Sequence, residues 1–287
     1  MVNQLTSCFF KKMRIIYAVI AIVLLCNKIG VAQSTFEDML KAHMDELLAP
    51  IETVPDEILP NPVLQSLTAP SGWGGYGSYI FGGIGGNYWQ PYMRKPDFIS
   101  FAGFCFGDPE RAVNIALSVN AADVSRVSNF SGNISVSRRV LTGSSISAGA
   151  MQLFADKFIT DSPGATVYFA FSHAIQSLPS DLNPGSSKLT YTIGIGTGRF
   201  YRKSPYDIEA GRGSRGTAVF ATLSYELLKK VNFNVEWSGM NLGCSFGLKP
   251  FDNPLAVGIG LTNLTRYSSD RVNASFVVCY PLSIKRI

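Results

Sequence analysis

The sequence predicts an all-β chain: an antiparallel up-and-down transmembrane β-barrel of about twelve strands, with ten as the neighbouring count, preceded by one N-terminal helix. Three observations predict it. Strand-length runs alternate strictly between apolar and small polar residues, charged residues are scarce, and the chain opens with an export-type leader. The alternation is clearest near the C-terminus, where Val231, Phe233, Val235 and Trp237 oppose Asn232, Asn234, Glu236 and Ser238. Leu242 to Leu248 and Leu255 to Leu261 repeat it, with Gly and Ser on the second face. Period two marks strands whose faces meet unlike environments. In a soluble sandwich the apolar face meets a second sheet; in a membrane barrel it meets lipid, and the small polar face lines a lumen.

Only 16% of the 287 residues are charged, against roughly a quarter in ordinary soluble domains. At the N-terminus Lys11, Lys12 and Arg14 precede an apolar run, Ile15 to Cys26, followed by Gly30-Val31-Ala32. A basic region, an apolar stretch of about a dozen residues and small residues at the −3 and −1 positions form a Sec signal peptide, assigned to residues 1–33. Removing its four bases from the 25 of the whole chain leaves 21 against 20 acids, so the basic balance gives no case for nucleic acid. Cys105, Cys244 and Cys279 remain, each inside a separate strand pattern and without a CxxC, which argues against a disulfide framework or metal cluster. No cofactor site is expected.

Residues 34–73 read as a helix and a Pro-rich linker. Ser34 with Glu37 forms a capping box, Phe36, Leu40, Met44 and Leu47 recur at helical spacing, and Pro50 stops the helix. Pro55, Pro60, Pro62 and Pro70 then keep the chain irregular. The barrel domain is assigned to 74–287, with strands at 75–86, 97–107, 111–121, 130–140, 144–154, 165–174, 188–199, 217–227, 231–238, 240–249, 255–264 and 271–281. Many are close to the roughly 9–11 residues that cross a bilayer at a tilt. With the N-terminus periplasmic, the connections alternate between tight and long, as barrels require. Two break the rule: 175–187 is long on the short side, and Ser238-Gly239 is tight on the long side. Aromatics near strand ends, Tyr76, Tyr79, Tyr88, Trp89, Tyr92, Phe200, Tyr201, Trp237 and Tyr280, suggest interfacial girdles.

The leader, the N-terminal segment, the alternating strands and a final strand Val272 to Tyr280 together resemble the bacterial outer-membrane β-barrel class. The resemblance covers nearly the whole mature chain, as a pattern without a specific motif. It implies residence in the outer membrane among lipid and lipopolysaccharide and insertion by the barrel-assembly machinery; contacts of the N-terminal helix with other envelope proteins belong to the docking alternative below.

The expected function is a channel or transport component for small polar solutes, with Asn114, Glu226, Asn232, Asn234 and Glu236 lining the lumen. The external loop 200–216 carries Arg202, Lys203, Arg212 and Arg215, which would attract anionic groups. Glycine-rich runs such as Gly194 to Gly198 precede no helix, so they are not phosphate loops; on an inner face they make room for water or for something folded inside. The alternatives are a docking barrel in an envelope complex and a lipid-modifying enzyme. For the latter the mature chain offers His43 and His173. Ser172 beside His173 points to the opposite face, so a nucleophile would have to come from a neighbouring strand.

Overall fold

The computed structural model describes residues 57–93, 95–124, 128–155 and 164–284. The expected leader and the helix at 34–49, with His43, lie outside them. Twelve antiparallel strands close into one barrel. They are β1 Tyr79–Tyr88, β2 Asp97–Gly107, β3 Asn114–Asp123, β4 Ser128–Leu141, β5 Ser144–Leu153 and β6 Thr166–Ala174. The circuit continues with β7 Leu189–Gly196, β8 Val219–Leu228, β9 Val231–Trp237, β10 Leu242–Leu248, β11 Ala256–Thr262 and β12 Asn273–Ser283. Each pairs with its neighbour in sequence, and β12 closes on β1 from Ala274↔Tyr88 to Ser283↔Tyr79.

The alternation has the sense of a membrane barrel. Val167, Phe169, Ile193, Ile195, Leu223, Phe246 and Ile259 are exposed on the outer face, whereas Ser172, Thr190, Thr192, Ser224, Asn232, Asn234 and Ser245 are buried inside. Each such apolar side chain is worth roughly 1.5–3 kcal/mol when removed from water. A face carrying dozens of them is stable against hydrocarbon and not against solvent, which decides between barrel and sandwich.

The strand boundaries match expectation to within a few residues. The first strand differs most: residues 75–78 are still approaching the sheet, and Gly77 turns there at a φ of 76°. The long connection on the terminus side, 175–188, also has a physical reason. It folds across that mouth of the barrel, where Ser186–Ser187 pairs in parallel with Leu59–Pro60 and Ser180 and Asn183 hydrogen-bond Glu226. Three of the expected girdle aromatics are elsewhere. Phe200, on a short 3-10 turn Gly198–Phe200, is fully buried inside the barrel against Phe220, Tyr79 lines the interior, and Tyr92 belongs to a loop network.

Candidate functional site

The lumen is occupied by the chain's own residues 57–78. Glu57 fixes the entry at the terminus-side mouth: its carboxylate forms an ion pair with Arg139 and accepts from the Gly143 amide at 2.7 Å. Ile58 and Gln176 exchange two hydrogen bonds, of 3.0 and 2.8 Å. Prolines at 60 and 62 limit regular structure here to the short Leu59–Pro60 pairing, so side chains on the wall satisfy the rest. Asn61 and Asn232 form a reciprocal amide pair, with bonds of 2.8 and 2.7 Å, and Asn234 donates to the Leu64 carbonyl at 3.2 Å.

The apex of the loop is held by one carboxylate. Glu236, 2% exposed, accepts from the Leu67 amide at 2.7 Å and from the Thr68 amide and hydroxyl at 2.8 Å each. Ser245 donates to it at 2.9 Å, and the Ser66 hydroxyl lies 3.0 Å away. A buried carboxylate is costly unless such donors surround it. Here the donors come almost entirely from the segment it holds. The chain then descends the opposite wall. Ala69 packs with Tyr168, Ala170, Phe200 and Phe220, the Ser71 carbonyl accepts from Ser147 at 2.7 Å, and the Gly72 amide donates to Ser172 at 2.8 Å.

The inward glycines make this possible. A Cβ on Gly247 would lie 1.9 Å from the Leu64 carbonyl oxygen, and one on Gly258 would lie 2.4 Å from the Leu64 side chain. On β7, Gly194 and Gly196 leave room for the Phe220 and Phe200 rings in the same way.

The segment divides the lumen into two chambers. The outer one, about 640 Å³, has Leu67 and Thr68 at its floor and amide and hydroxyl side chains on its walls, with Arg199, Arg202 and Asp97 among its charged lining. The inner one, about 490 Å³, lies between Leu64, Trp73 and Gly74 of the segment and Phe81, Asn114 and Leu255 of the wall.

Over the outer mouth, three connections converge on Asp207, in the short helix α1 Pro205–Glu209 of the β7–β8 loop. Its carboxylate accepts from the Ser269 amide at 2.9 Å, from Arg212 at 3.2 Å, and from the hydroxyls of Ser268 and Tyr92. Burial pushes the Asp207 carboxyl up, but these bonds outweigh it and hold the group below the ordinary aspartate value. Burial and the bond to Asp207 raise the Tyr92 hydroxyl to about 12.

The residues expected to line the lumen all point inward, and all are 2% exposed or less. Asn232, Asn234 and Glu236 hold the segment. Glu226 holds the 175–188 connection, and Asn114 ties β2 to β3 through Cys105 and the Phe106 carbonyl. Of the loop cations, Lys203 donates to the carbonyls of Arg212 and Tyr267 at 2.7 and 2.6 Å, and Arg212 is engaged with Asp207 and Tyr92. Arg215 stands over the Tyr201 ring at 5.7 Å, and Arg202 is exposed at the chamber.

Sequence reasoning missed the wall-binding residues Asn61, Ser66 and Thr68, the latch residue Asp207, and the asparagines of the outer chamber. The bare inner positions Gly247 and Gly258 were the signal for the first group; nothing local marks the others.

His173 faces outward with Phe169 and Phe171, as its place in the alternation requires. Its partner comes across the strand pair: Ser144 Oγ lies 2.8 Å from His173 Nδ1. Ser144 is 3% exposed.

No family model and no curated protein matches the chain. Among solved structures it is similar to the KdgM porin, with a TM-score of 0.42 and 11% identity over 72% of this chain and 99% of that one. It is also similar to outer membrane phospholipase A from Escherichia coli, at 0.38 and 8% over 74% and 98%. A mutant of the Rh. blastica porin gives 0.32 and 10% over 64% and 55%. At these values the likeness is one of barrel architecture and carries nothing about solute or activity.

Proposed function

We infer that the chain is an outer-membrane channel for small polar solutes, kept closed by its own residues 57–78. One observation carries this reading: a chamber of about 640 Å³ with amide and hydroxyl walls and a more apolar one of about 490 Å³ are separated by a single loop of chain. That loop is fastened chiefly by side chains and not by strand pairing into the barrel wall. A barrel that served as a scaffold alone would be expected to fill its interior with wall side chains, as small barrels do. Here glycines on the wall clear space for a separate segment, so the closure is separable from the barrel.

The outer location follows from the apolar belt and from the long connections on the side away from the termini. Lipid and lipopolysaccharide are then its surroundings, and the barrel-assembly machinery its partner during insertion. The test is ion conductance in planar bilayers, comparing the intact chain with Glu236→Gln. The reading expects larger or more frequent openings in the variant; two equally silent proteins would count against it.

The Ser144–His173 bond gives the enzymatic alternative a specific form, because serine and histidine at hydrogen-bond distance are the first two members of a hydrolase site. If that reading holds, purified protein hydrolyses phospholipid in mixed micelles and His173→Ala abolishes the activity. An unmutated protein without activity removes it.

A further inference from the structure

We propose that the outer chamber binds a polyhydroxylated solute, a saccharide of a few units, through the asparagine side chains on its wall. The inference rests on the channel reading above and names the class of its solute.

A primary amide offers two N–H donors and two acceptor lone pairs. Around the chamber these are partly spent on neighbours and partly left over. Asn120 donates to Ser131 at 3.2 Å and accepts from Asn133 at 3.2 Å, leaving one N–H and one lone pair. Asn263 donates to Asn273 at 2.9 Å and accepts from Asn241 at 3.0 Å, with the same remainder. Asn87 accepts from Ser275. Asn133 donates to both Ser118 and Asn120 and accepts from the Gln152 amide at 3.1 Å, which leaves one lone pair. The mutual bonds fix each amide in orientation before any ligand arrives, so little further ordering is needed on binding.

The leftover valences occur as donors and acceptors side by side. A hydroxyl group is itself both donor and acceptor, and vicinal hydroxyls on a ring repeat that pairing at close spacing. An inorganic cation would want several carboxylates instead, and an anion would want guanidiniums converging within the belt. The asparagine group contains neither; the chamber's charged lining is Asp97, Arg199, Arg202, Lys203 and Asp207, of which Lys203 is already bonded to the Arg212 and Tyr267 carbonyls and Asp207 to the Ser269 amide. Ile99 and Phe101 supply apolar surface on the same wall, suited to the C–H face of a sugar ring. Gln152, held at a φ of 57°, lines the chamber too. The volume of about 640 Å³ falls within the roughly 300–1,000 Å³ of small-molecule sites.

The experiment is calorimetric titration of the full chain in detergent with maltotriose, and separately with triglycine as a polar solute of another class. Saturable heat with maltotriose and none with triglycine is expected. The double variant Asn120→Ala/Asn133→Ala should weaken binding about tenfold or more, as loss of two or more ligand hydrogen bonds implies. Asn87→Ala, on another strand, should weaken it less, and Ser137→Ala in the inner chamber should leave it unchanged. Heat-modifiability on gels shows which variants are folded. Absence of saturable maltotriose binding in the unmutated protein overturns the proposal, as does binding that folded Asn120→Ala/Asn133→Ala retains in full. Conductance of Glu236→Gln, the variant expected to open, separates the two readings. A channel that opens without binding maltotriose loses the saccharide and keeps the function, and a binder that never conducts does the reverse.

Discussion

Glu236 shows how one residue can serve two ends. On the strand it is an ordinary inward position of an alternating run; in the lumen it is the acceptor for the turn at Leu67 and Thr68. Glu236→Gln keeps the shape but turns an N–H₂ group toward amide donors. The loss is about 1.5–3 kcal/mol for each hydrogen bond to a charged group, spent on release of the segment and not on unfolding of the barrel. Hydrogen exchange at Leu67 and Thr68 should therefore accelerate by about tenfold or more for each 1.4 kcal/mol lost, while strand amides such as those of β8 stay protected. Equal protection of the two amides in the variant would show that Glu236 does not hold the loop. Inwardness at Asn114, Glu226, Asn232, Asn234 and Glu236 was legible in the sequence because period two fixes which way a side chain faces. What each touches was not, because Asn61 and Asn232 are 171 residues apart and no local spacing joins them.

Two elements deserve a test of their own, the segment and the latch over the outer mouth. Gly247→Val would place its Cβ where the Leu64 carbonyl sits, and a backbone atom cannot swing aside as a side-chain tip can. The variant is expected to keep the β-sheet circular dichroism of the barrel, lose exchange protection in residues 64–69, and raise conductance. Retained protection would mean that the wall had yielded instead.

At the latch, the sign of the pH dependence follows from the two displaced groups. Asp207 is held below its ordinary value near 3.8, so its contribution is present above that value and is lost as pH falls through the lower folded one. Tyr92 is raised from 10.0 to about 12. Its contribution is complete below 10.0 and is lost as pH rises toward 12. Exchange protection at Ser269, whose amide donates to Asp207, should therefore be flat across neutral pH and fall at both extremes. Asp207→Asn should lower it across neutral pH and abolish the fall on the acid side, and a Ser269 amide unaffected by that change would dismiss the latch. The latch was hidden in the sequence because its parts come from three loops, and loops carry no periodicity to read.

At the scale of the whole molecule, the strand circuit was legible nearly to its boundaries. Twelve runs of alternating residues leave few ways to pair when sequence neighbours meet and the ends must close. The contents of the barrel were less so. Glycines at 194, 196, 247 and 258 announced empty space on the inner wall, and the proline-rich stretch before β1 read as a linker, yet only three dimensions show that the stretch fills part of that space. The Phe200 ring makes the same point: near a strand end it reads as a girdle residue, but Gly196 opens a place for it inside. A membrane-bound band whose gel mobility shifts on boiling would confirm the closed barrel, and a soluble protein without that shift would refute it.

The central claim is that residues 57–78 close a channel the barrel would otherwise form. Its most direct measurement is single-channel conductance in planar bilayers of the intact chain beside a variant lacking residues 57–75. The intact chain is expected to be closed or nearly so, and the shortened one, folded by its heat-modifiability, to conduct several-fold more. A folded, shortened barrel that conducts no better than the intact chain would contradict it.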